Sequence, residues 1–153
     1  MRLQTTSYSC GPNALDNALE CYKDHGYAER ETMRLCHTTK RGTGEKNLRR
    51  AAKRRGHKSQ AWNTTNAEKA VDNLLNAILS GWPVILAVDR DDHWVTVVGA
   101  LGEKFILFDP ESSSKNRKKN GMHVFSRIKL LHRWKGKKGK YFGLIIFPRR
   151  YKN

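Results

Sequence analysis

The sequence has no long hydrophobic run, which argues against a membrane-embedded protein. Its 153 residues are 38% hydrophobic, and the opening segment from Met1 to Gln4 contains no apolar stretch. A membrane-spanning helix needs about 20 consecutive apolar residues, and a secretory signal peptide needs an apolar core of its own. We therefore predict neither a transmembrane segment nor a signal peptide. A P-loop, the phosphate-binding motif of many nucleotide hydrolases, is missing as well.

Cysteine is scarce, with three residues at Cys10, Cys21 and Cys36. An odd number without a Cys-x-x-Cys pair argues against both a disulfide framework and a structural zinc site. The alternative is a metal site formed by Cys21 and Cys36 with the nearby histidines, His25 and His37, but the spacing is not that of the usual ligand sets. We therefore expect no metal or other cofactor. We also expect the protein to be located in the reducing cytoplasm, which keeps thiols active.

Acidic residues are outnumbered, because 14 Asp and Glu stand against 30 Lys and Arg, for a formal net charge of +16. The cations concentrate in residues 46–58, 115–119 and 129–140. A charge this large indicates an anionic partner, such as nucleic acid, an acidic region of a peptide substrate or anionic lipid. A solvated surface that maintains solubility is the alternative.

Trp134, the aromatic residue inside the third cluster, is a candidate for stacking on single-stranded nucleic acid. Within the first cluster, a predicted helix presents two basic stripes, Arg49 with Lys53 and Arg50 with Arg54.

The segment from Gln4 to Leu15 is the most informative part of the chain. Pro12 suits the first turn of a helix, and apolar residues follow at three- and four-residue steps, which predicts an amphipathic helix. Cys10 therefore lies at a helix N-terminus, where the helix dipole and the free N–H groups favour a thiolate. Gly11 is expected to let the backbone bend and to keep the sulfur open to a substrate.

Two groups near Cys10 are candidates for stabilising an oxyanion. The backbone N–H of Cys10 would point at the oxygen of an attacked carbonyl. The side chain of Gln4, six residues earlier, can supply a second donor. The alternative is a small buried thiol without a chemical role, which is the commoner state of a cysteine near a helix start.

Neighbouring strands are expected to bring an imidazole next to a carboxylate. His93 begins the second of three successive antiparallel strands, and Asp109 follows the third, so pairing would place them side by side. A carboxylate there fixes the imidazole tautomer and stabilises the imidazolium. Asp91 and Asp92 are rival carboxylates. Asp92 faces away because neighbouring strand residues alternate, whereas Asp91 falls on the same side as His93 and stays an alternative.

The helix and strand patterns predict an α+β domain of two layers, with helices first and antiparallel strands second. Imperfect alternation in the strand after His93 indicates a sheet buried on both faces. The cleft between the layers would place Cys10 opposite His93, and the polar segment 112–121 is expected to be an exposed loop beside Asp109. The predicted helices are 11–24, 29–37, 44–56 and 67–80, and the predicted strands are 83–88, 93–100, 104–108 and 141–147, with a further strand at 122–130.

These motifs resemble those of the bacteriocin-processing cysteine peptidases, which remove leaders ending in a double glycine and belong to the papain-like superfamily. The resemblance covers roughly residues 2–110 and implies a papain-like α+β fold, with N-terminal helices packed on a C-terminal antiparallel sheet, as one domain over residues 1–153. The residues that carry it are Gln4, Cys10-Gly11-Pro12, His93-Trp94 and Asp109-Pro110.

The same resemblance implies hydrolysis of a peptide bond through an acyl-enzyme, with cleavage after Gly-Gly. By position, Cys10 would be the nucleophile and His93 the general base and then the acid. Asp109 would orient His93, and Gln4 would help to bind the oxyanion.

Two other functions stay open. One is an isopeptidase or acyl transferase that uses the same thiol at Gly-Gly ends. The other is a basic nucleic-acid-binding module on an inactive peptidase fold, against which the four occupied catalytic positions argue.

Overall fold

The computed structural model describes residues 1–149. Positions 150–153, which belong to the predicted single domain over residues 1–153, lie outside the described residues. The longest described helix has 13 residues, and no helix in this part of the chain is long and apolar enough to cross a membrane. The helices are α1 (Cys10–Glu20), α2 (Glu29–Leu35), α3 (Glu45–Arg54), α4 (Ala67–Leu79), α5 (Ser114–Arg117) and α6 (Arg127–Trp134), and the strands are β1 (Ser59–Thr64), β2 (Val84–Val88), β3 (His93–Leu101), β4 (Lys104–Phe108), β5 (Met122–Ser126) and β6 (Tyr141–Ile146).

The six described strands form one antiparallel sheet in the order β1-β6-β2-β3-β4-β5. β6, which comes late in the chain, inserts between β1 and β2 and so completes the middle of the sheet. On the other side of β2, Thr96 of β3 lies opposite Phe108 of β4. This register brings the start of β3 next to the end of β4, where the sequence places His93 and Asp109.

Helices cover both faces of the sheet, which makes three layers instead of the two that we expected. The central strand β2 reads Val-Ile-Leu-Ala-Val and is buried along its whole length. Because successive side chains point to opposite faces, Ile85 joins the apolar cluster of α1 and α3, whereas Leu86 joins that of α4 and α6. The prediction of a sheet buried on both faces is confirmed, and this double burial is what requires the second layer of helices.

The predicted helices and most predicted strands are confirmed, with three differences. The sequence does not predict β1, since Ser-Gln-Ala-Trp-Asn-Thr is mostly polar, a composition that an edge strand tolerates. The strand predicted at 122–130 is wrong beyond Ser126, because the Ser126 hydroxyl accepts the N–H of Lys129 and caps α6. The loop predicted at 112–121 contains α5 and the buried Asn116, which donates a 2.8 Å hydrogen bond to the carbonyl oxygen of Asp109.

Candidate active site

Cys10 is the first residue of α1 and is 7% exposed. Pro12 lies in the first turn, as predicted. Within the described residues, Ser9 provides no side-chain cap for the helix, which leaves N–H groups of the first turn available to a ligand. The helix is fixed to the sheet by the hydroxyl of Thr96, on β3, which donates a 2.7 Å hydrogen bond to the carbonyl oxygen of Ala14. Cys10 therefore sits on a helix end that is held against the strand bearing His93.

Gly11 serves close packing rather than the backbone bend that we expected. It is an ordinary helical residue, and a Cβ atom there would lie 2.9 Å from Cβ of Thr43 and 3.3 Å from Cδ1 of Trp94. Those two neighbours are joined, because the indole N–H of Trp94 donates a 2.8 Å hydrogen bond to the carbonyl oxygen of Thr43. A side chain at position 11 would therefore clash with Thr43 and Trp94, which are hydrogen-bonded to each other, next to Cys10.

His93 and Asp109 form a hydrogen-bonded pair at the ends of neighbouring strands. The Nε2 atom of His93 lies 2.6 Å from Oδ1 of Asp109, which is 5% exposed. The two rival carboxylates have other partners. Asp91 accepts the backbone N–H of Lys137 at 3.1 Å, and Asp92 pairs with the ammonium group of Lys137 at 3.2 Å. Of the three carboxylates that the sequence offers, Asp109 is the one that contacts the imidazole.

The two members of this pair shift each other's pKa in opposite directions. Burial alone would lower the pKa of His93, but hydrogen bonds and charges of Asp109 and Cys10 raise it to about 9. Burial would raise the pKa of Asp109, yet the hydrogen bond and charge of His93, with a hydrogen bond from Arg133, hold it well below its usual range. The contacts with Asp109 and Cys10 therefore favour the protonated form of His93, and those with His93 and Arg133 favour the ionised form of Asp109.

Gln4 lies beside the same pair. Its backbone N–H donates a 2.6 Å hydrogen bond to the carbonyl oxygen of Pro110, the residue after Asp109. The side chain is buried, and its Nε2 atom donates to the carbonyl oxygen of Thr6 at 2.9 Å. A primary amide has two N–H donors, and this hydrogen bond uses one of them. The structure thus brings Gln4 to the site from the chain's first residues.

A profile of the Peptidase C39 family matches residues 1–136. The chain belongs to the Peptidase C39 family. It is a cysteine peptidase, as its motifs predict, and the family resemblance of its sequence is confirmed over more of the chain than the motifs themselves span.

Solved structures of C39 peptidases share its fold. The peptidase domain of Streptococcus ComA, a bifunctional ABC transporter of a quorum-sensing pathway, superposes with a TM-score of 0.73 at 21% identity and covers 97% of each chain. A double-glycine-motif protease from an AMS/PCAT transporter, in complex with the leader peptide, gives 0.72 at 20% identity over 95% of this chain and 89% of its own. A C39-like peptidase from Bacillus anthracis gives 0.69 at 14% identity over 99% and 95%. No curated protein matches the chain. These superpositions confirm the papain-like α+β fold.

In this C39 peptidase, Arg133 of α6 is a site residue that the sequence does not reveal. Its Nη2 atom donates a 2.6 Å hydrogen bond to Oδ2 of Asp109, the oxygen that His93 leaves free. In the sequence, nothing separates Arg133 from the other cations of the run 129–140. The next residue, Trp134, is fully buried and donates its indole N–H to the carbonyl oxygen of Phe142. The prediction that Trp134 stacks on nucleic acid is therefore wrong.

A second unpredicted residue, Glu29, holds the loop between Gln4 and Cys10. Its Oε2 atom accepts the backbone N–H of Thr5 at 3.0 Å, the hydroxyl of Ser9 at 3.2 Å and the side-chain amide of Asn13 at 2.6 Å. Burial would raise the pKa of Glu29, but these hydrogen bonds lower it. A carboxylate from α2 thus anchors the segment between Gln4 and Cys10.

The alternative metal site is not formed. Within residues 1–149, no group of three or more His, Cys, Asp or Glu side chains is arranged to hold a metal ion, which contradicts a site built from Cys21, Cys36, His25 and His37. Cys36 is fully buried, and burial raises the pKa of its thiol to about 12. Cys21 is an exposed thiol just after α1.

A basic groove lies between α3 and β1. β1 is one edge strand of the sheet, and β4 and β5 lie at the other edge. This α3 groove encloses about 570 Å³, and Arg49, Arg50, Lys53 and Lys58 line it together with His57. The four cationic residues are exposed. Arg54 is exposed as well, so the prediction that this helix presents two basic stripes, Arg49 with Lys53 and Arg50 with Arg54, is confirmed.

Proposed function

We propose that Cys10 is the nucleophile of this peptidase and that His93 is its general acid and base. Asp109 orients His93, and Gln4 supplies an oxyanion donor. The observation that supports this assignment is the 2.6 Å contact between Nε2 of His93 and Asp109. Cys10 is close enough to His93 to raise the pKa of the imidazole. The same ring therefore has both the thiol and the carboxylate as neighbours.

The geometry supports a two-step hydrolysis. The sulfur of Cys10 attacks the carbonyl carbon of the scissile bond, and the electron pair of the C=O bond moves to the oxygen. The N–H of Cys10 and the amide of Gln4 stabilise that oxyanion. As the C–N bond breaks, His93 gives its proton to the leaving amine and a thioester remains. His93 then takes a proton from water, whose oxygen attacks the thioester carbon, and the acid and the thiolate are released.

The proposed substrate is a peptide or protein that is cut after a Gly-Gly pair. Family membership supports this choice, and so does the shared fold with the double-glycine-motif protease that was solved with a leader peptide. We place the reaction in the cytoplasm, where thiols stay reduced. We also propose that residues 1–153 form a single domain, which carries out this reaction.

Two synthetic peptides test this proposal, identical except that Gly-Gly in one is Val-Val in the other. We expect mass spectrometry to find cleavage after Gly-Gly by the wild type alone, with no product from Cys10→Ala or His93→Ala and with unchanged circular dichroism spectra. Adding an amine such as glycine amide separates hydrolysis from transfer, because the transfer product carries the mass of the amine. Cleavage by Cys10→Ala would refute the nucleophile, and equal cleavage of both peptides would refute the Gly-Gly preference.

The α3 groove favours a second, binding function. We propose that it receives an anionic partner, an acidic region of the peptide substrate, with nucleic acid as the alternative. Its charged residues have no acidic neighbour among the residues that line the groove, so the positive potential there is not neutralised locally. Binding of this type falls steeply with salt and does not depend on the thiol.

Fluorescence anisotropy at about 50 mM and about 200 mM salt tests the groove with an acidic peptide, a neutral peptide and a labelled oligonucleotide. We expect the acidic peptide to bind, and Arg49→Glu with Lys53→Glu to weaken it strongly. The same charge change at Lys23 and Lys69, which are exposed and outside the three basic clusters, is the control and should have little effect. Preference for the oligonucleotide would favour nucleic acid instead.

A further inference from the structure

The carboxylate of Asp109 is held at both oxygens. Oδ1 accepts Nε2 of His93 at 2.6 Å and the backbone N–H of Glu111 at 2.9 Å. Oδ2 accepts Nη2 of Arg133 at 2.6 Å. Since a carboxylate is planar, a donor that fixes Oδ2 also fixes the direction of Oδ1. Arg133 therefore controls where the oxygen that meets His93 can lie.

Arg133 is itself held in place by the fold. Its Nε and Nη2 atoms donate to the two carboxylate oxygens of Asp89 at 2.9 Å and 3.1 Å, and its carbonyl oxygen accepts the N–H of Asp89 at 3.0 Å. The next residue, Trp134, is fully buried, which anchors the end of α6. The guanidinium thus connects the turn before His93 to the residue after β4.

We propose that Arg133 is a positioning residue of the peptidase, which aims the carboxylate of Asp109 at His93 by holding its second oxygen. This inference rests on the proposed catalytic role of the Cys10–His93 pair. It adds a fourth charged group to the site, supplied by a helix on the face of the sheet opposite α1. Arg133 acts through Asp109 and does not contact the reacting atoms.

A guanidinium suits this position better than an ammonium. Arg133 contacts two carboxylates at once, and its planar fork directs separate N–H groups to each. A lysine would keep the charge, but its compact ammonium group lacks the planar fork and would fix the orientation of the two carboxylates less well. We therefore expect Arg133→Lys to retain the ionised state of Asp109 and to lose part of its alignment.

The charges around Asp109 come from three elements. His93 of β3 and Arg133 of α6 contact its carboxylate, and His123 of β5 is close enough to feel its charge. Asp89 lies on the far side of Arg133. Without Arg133, burial of Asp109 is less well compensated and its pKa rises. Activity of Arg133→Gln should therefore fall more at about pH 5 than at neutral pH.

Two readouts test this role, and one of them needs no substrate. The first is kcat and KM on the Gly-Gly peptide. The second is the rate at which iodoacetamide alkylates Cys10, followed by peptide mapping from about pH 5 to about pH 8. The variants are Arg133→Gln, Arg133→Lys and Arg133→Ala, with Arg127→Gln as the control, because Arg127 is an exposed cation of the same helix.

We expect Arg133→Gln to lower kcat about 10- to 100-fold with little change in KM, since misalignment at an active site costs rates of this size. Alkylation of Cys10 at about pH 5 should slow by several-fold, and guanidinium chloride at low millimolar concentration should restore part of the kcat of Arg133→Ala. Arg133→Lys should be intermediate, and Arg127→Gln should match the wild type.

The inference would be overturned if Arg133→Gln had the kcat and the alkylation rate of the wild type. It would also be overturned if Arg127→Gln lost as much kcat as Arg133→Gln, because that result would show a general charge effect. If Arg133→Gln does not fold, Arg133→Lys decides, and wild-type kcat in that variant overturns it. If the wild type leaves the Gly-Gly peptide uncut while Arg133→Gln still slows alkylation of Cys10, the proposed substrate fails and the positioning role stands.

Discussion

The hydroxyl of Thr96 on β3 donates a buried 2.7 Å hydrogen bond to the carbonyl oxygen of Ala14 in α1. Cys10 lies one helical turn before Ala14, and His93 lies three residues before Thr96 on the same strand. This bond therefore sets how the helix that carries the thiol sits on the strand that carries the imidazole. It joins residues 82 positions apart in the sequence.

Replacing Thr96 by Val keeps the shape of the side chain and removes the donor. We expect a loss of about 1 kcal/mol in the free energy of unfolding, the usual net value of one hydrogen bond, and a fall in kcat because the helix can shift on the sheet. Thr96→Ser, which keeps the hydroxyl, is the matched control and should retain kcat. Urea denaturation and peptide cleavage measure the two effects. Equal kcat in Thr96→Val and the wild type would show that the bond does not align the site.

Gly11→Ala should impair the site through packing. Its new Cβ would lie 2.9 Å from Thr43 and 3.3 Å from Trp94, so either the loop or the start of α1 must move. We expect a destabilisation of about 1–3 kcal/mol, typical of overpacking, together with a lower kcat. Gly99→Ala is the control, because a Cβ there meets only Cδ1 of Ile106 at 3.8 Å. Thermal melts and cleavage rates of the two variants should differ clearly. Similar values for both would contradict the packing argument.

Iodoacetamide should label Cys10 before the other two thiols. Burial raises the pKa of Cys36 to about 12, and burial with the charge of Glu20 raises that of exposed Cys21. Within residues 1–149, Cys10 is the thiol that raises the pKa of a neighbouring histidine, His93, and a protonated imidazole beside a thiol favours the reactive thiolate. Peptide mapping after a short exposure at about pH 6 measures the order. His93→Gln is the control and should abolish the preference for Cys10. Faster labelling of Cys21 in the wild type would count against an activated site.

The stability of the fold should depend on the protonation of His93. Its pKa is about 9 in the folded state against an ordinary value of 6.5. A raised folded pKa means that protonated His93 stabilises the native state below pH 6.5, and this contribution is lost as the pH rises to about 9. Urea denaturation across this range should show a larger fall for the wild type than for His93→Gln. Parallel pH profiles would contradict the linkage.

Local patterns were sufficient for much of the fold and for the members of the site that lie in motifs. Pro12 and the apolar spacing after it place Cys10 at a helix start, because helix initiation depends on a few adjacent residues. The apolar run 83–88 predicts a strand, and the imperfect alternation in the strand after His93 indicates a sheet buried on both faces. His93 and Asp109 stand at the ends of strands that are consecutive in the chain, and such strands usually pair.

Other features became visible only once the chain was folded. Arg133 reaches Asp109 because α6 and β6 pack against strands that come earlier in the chain. No local pattern in the sequence distinguishes Arg133 from the cations beside it. The burial of Trp134 and the contact between Thr96 and Ala14 arise in the same way. Residue spacing acts over a few positions, so it determines helices, strands and the motif that carries the thiol. Contacts across tens of positions depend on the order of strands and on which face each helix covers, and these are set by packing of the whole domain.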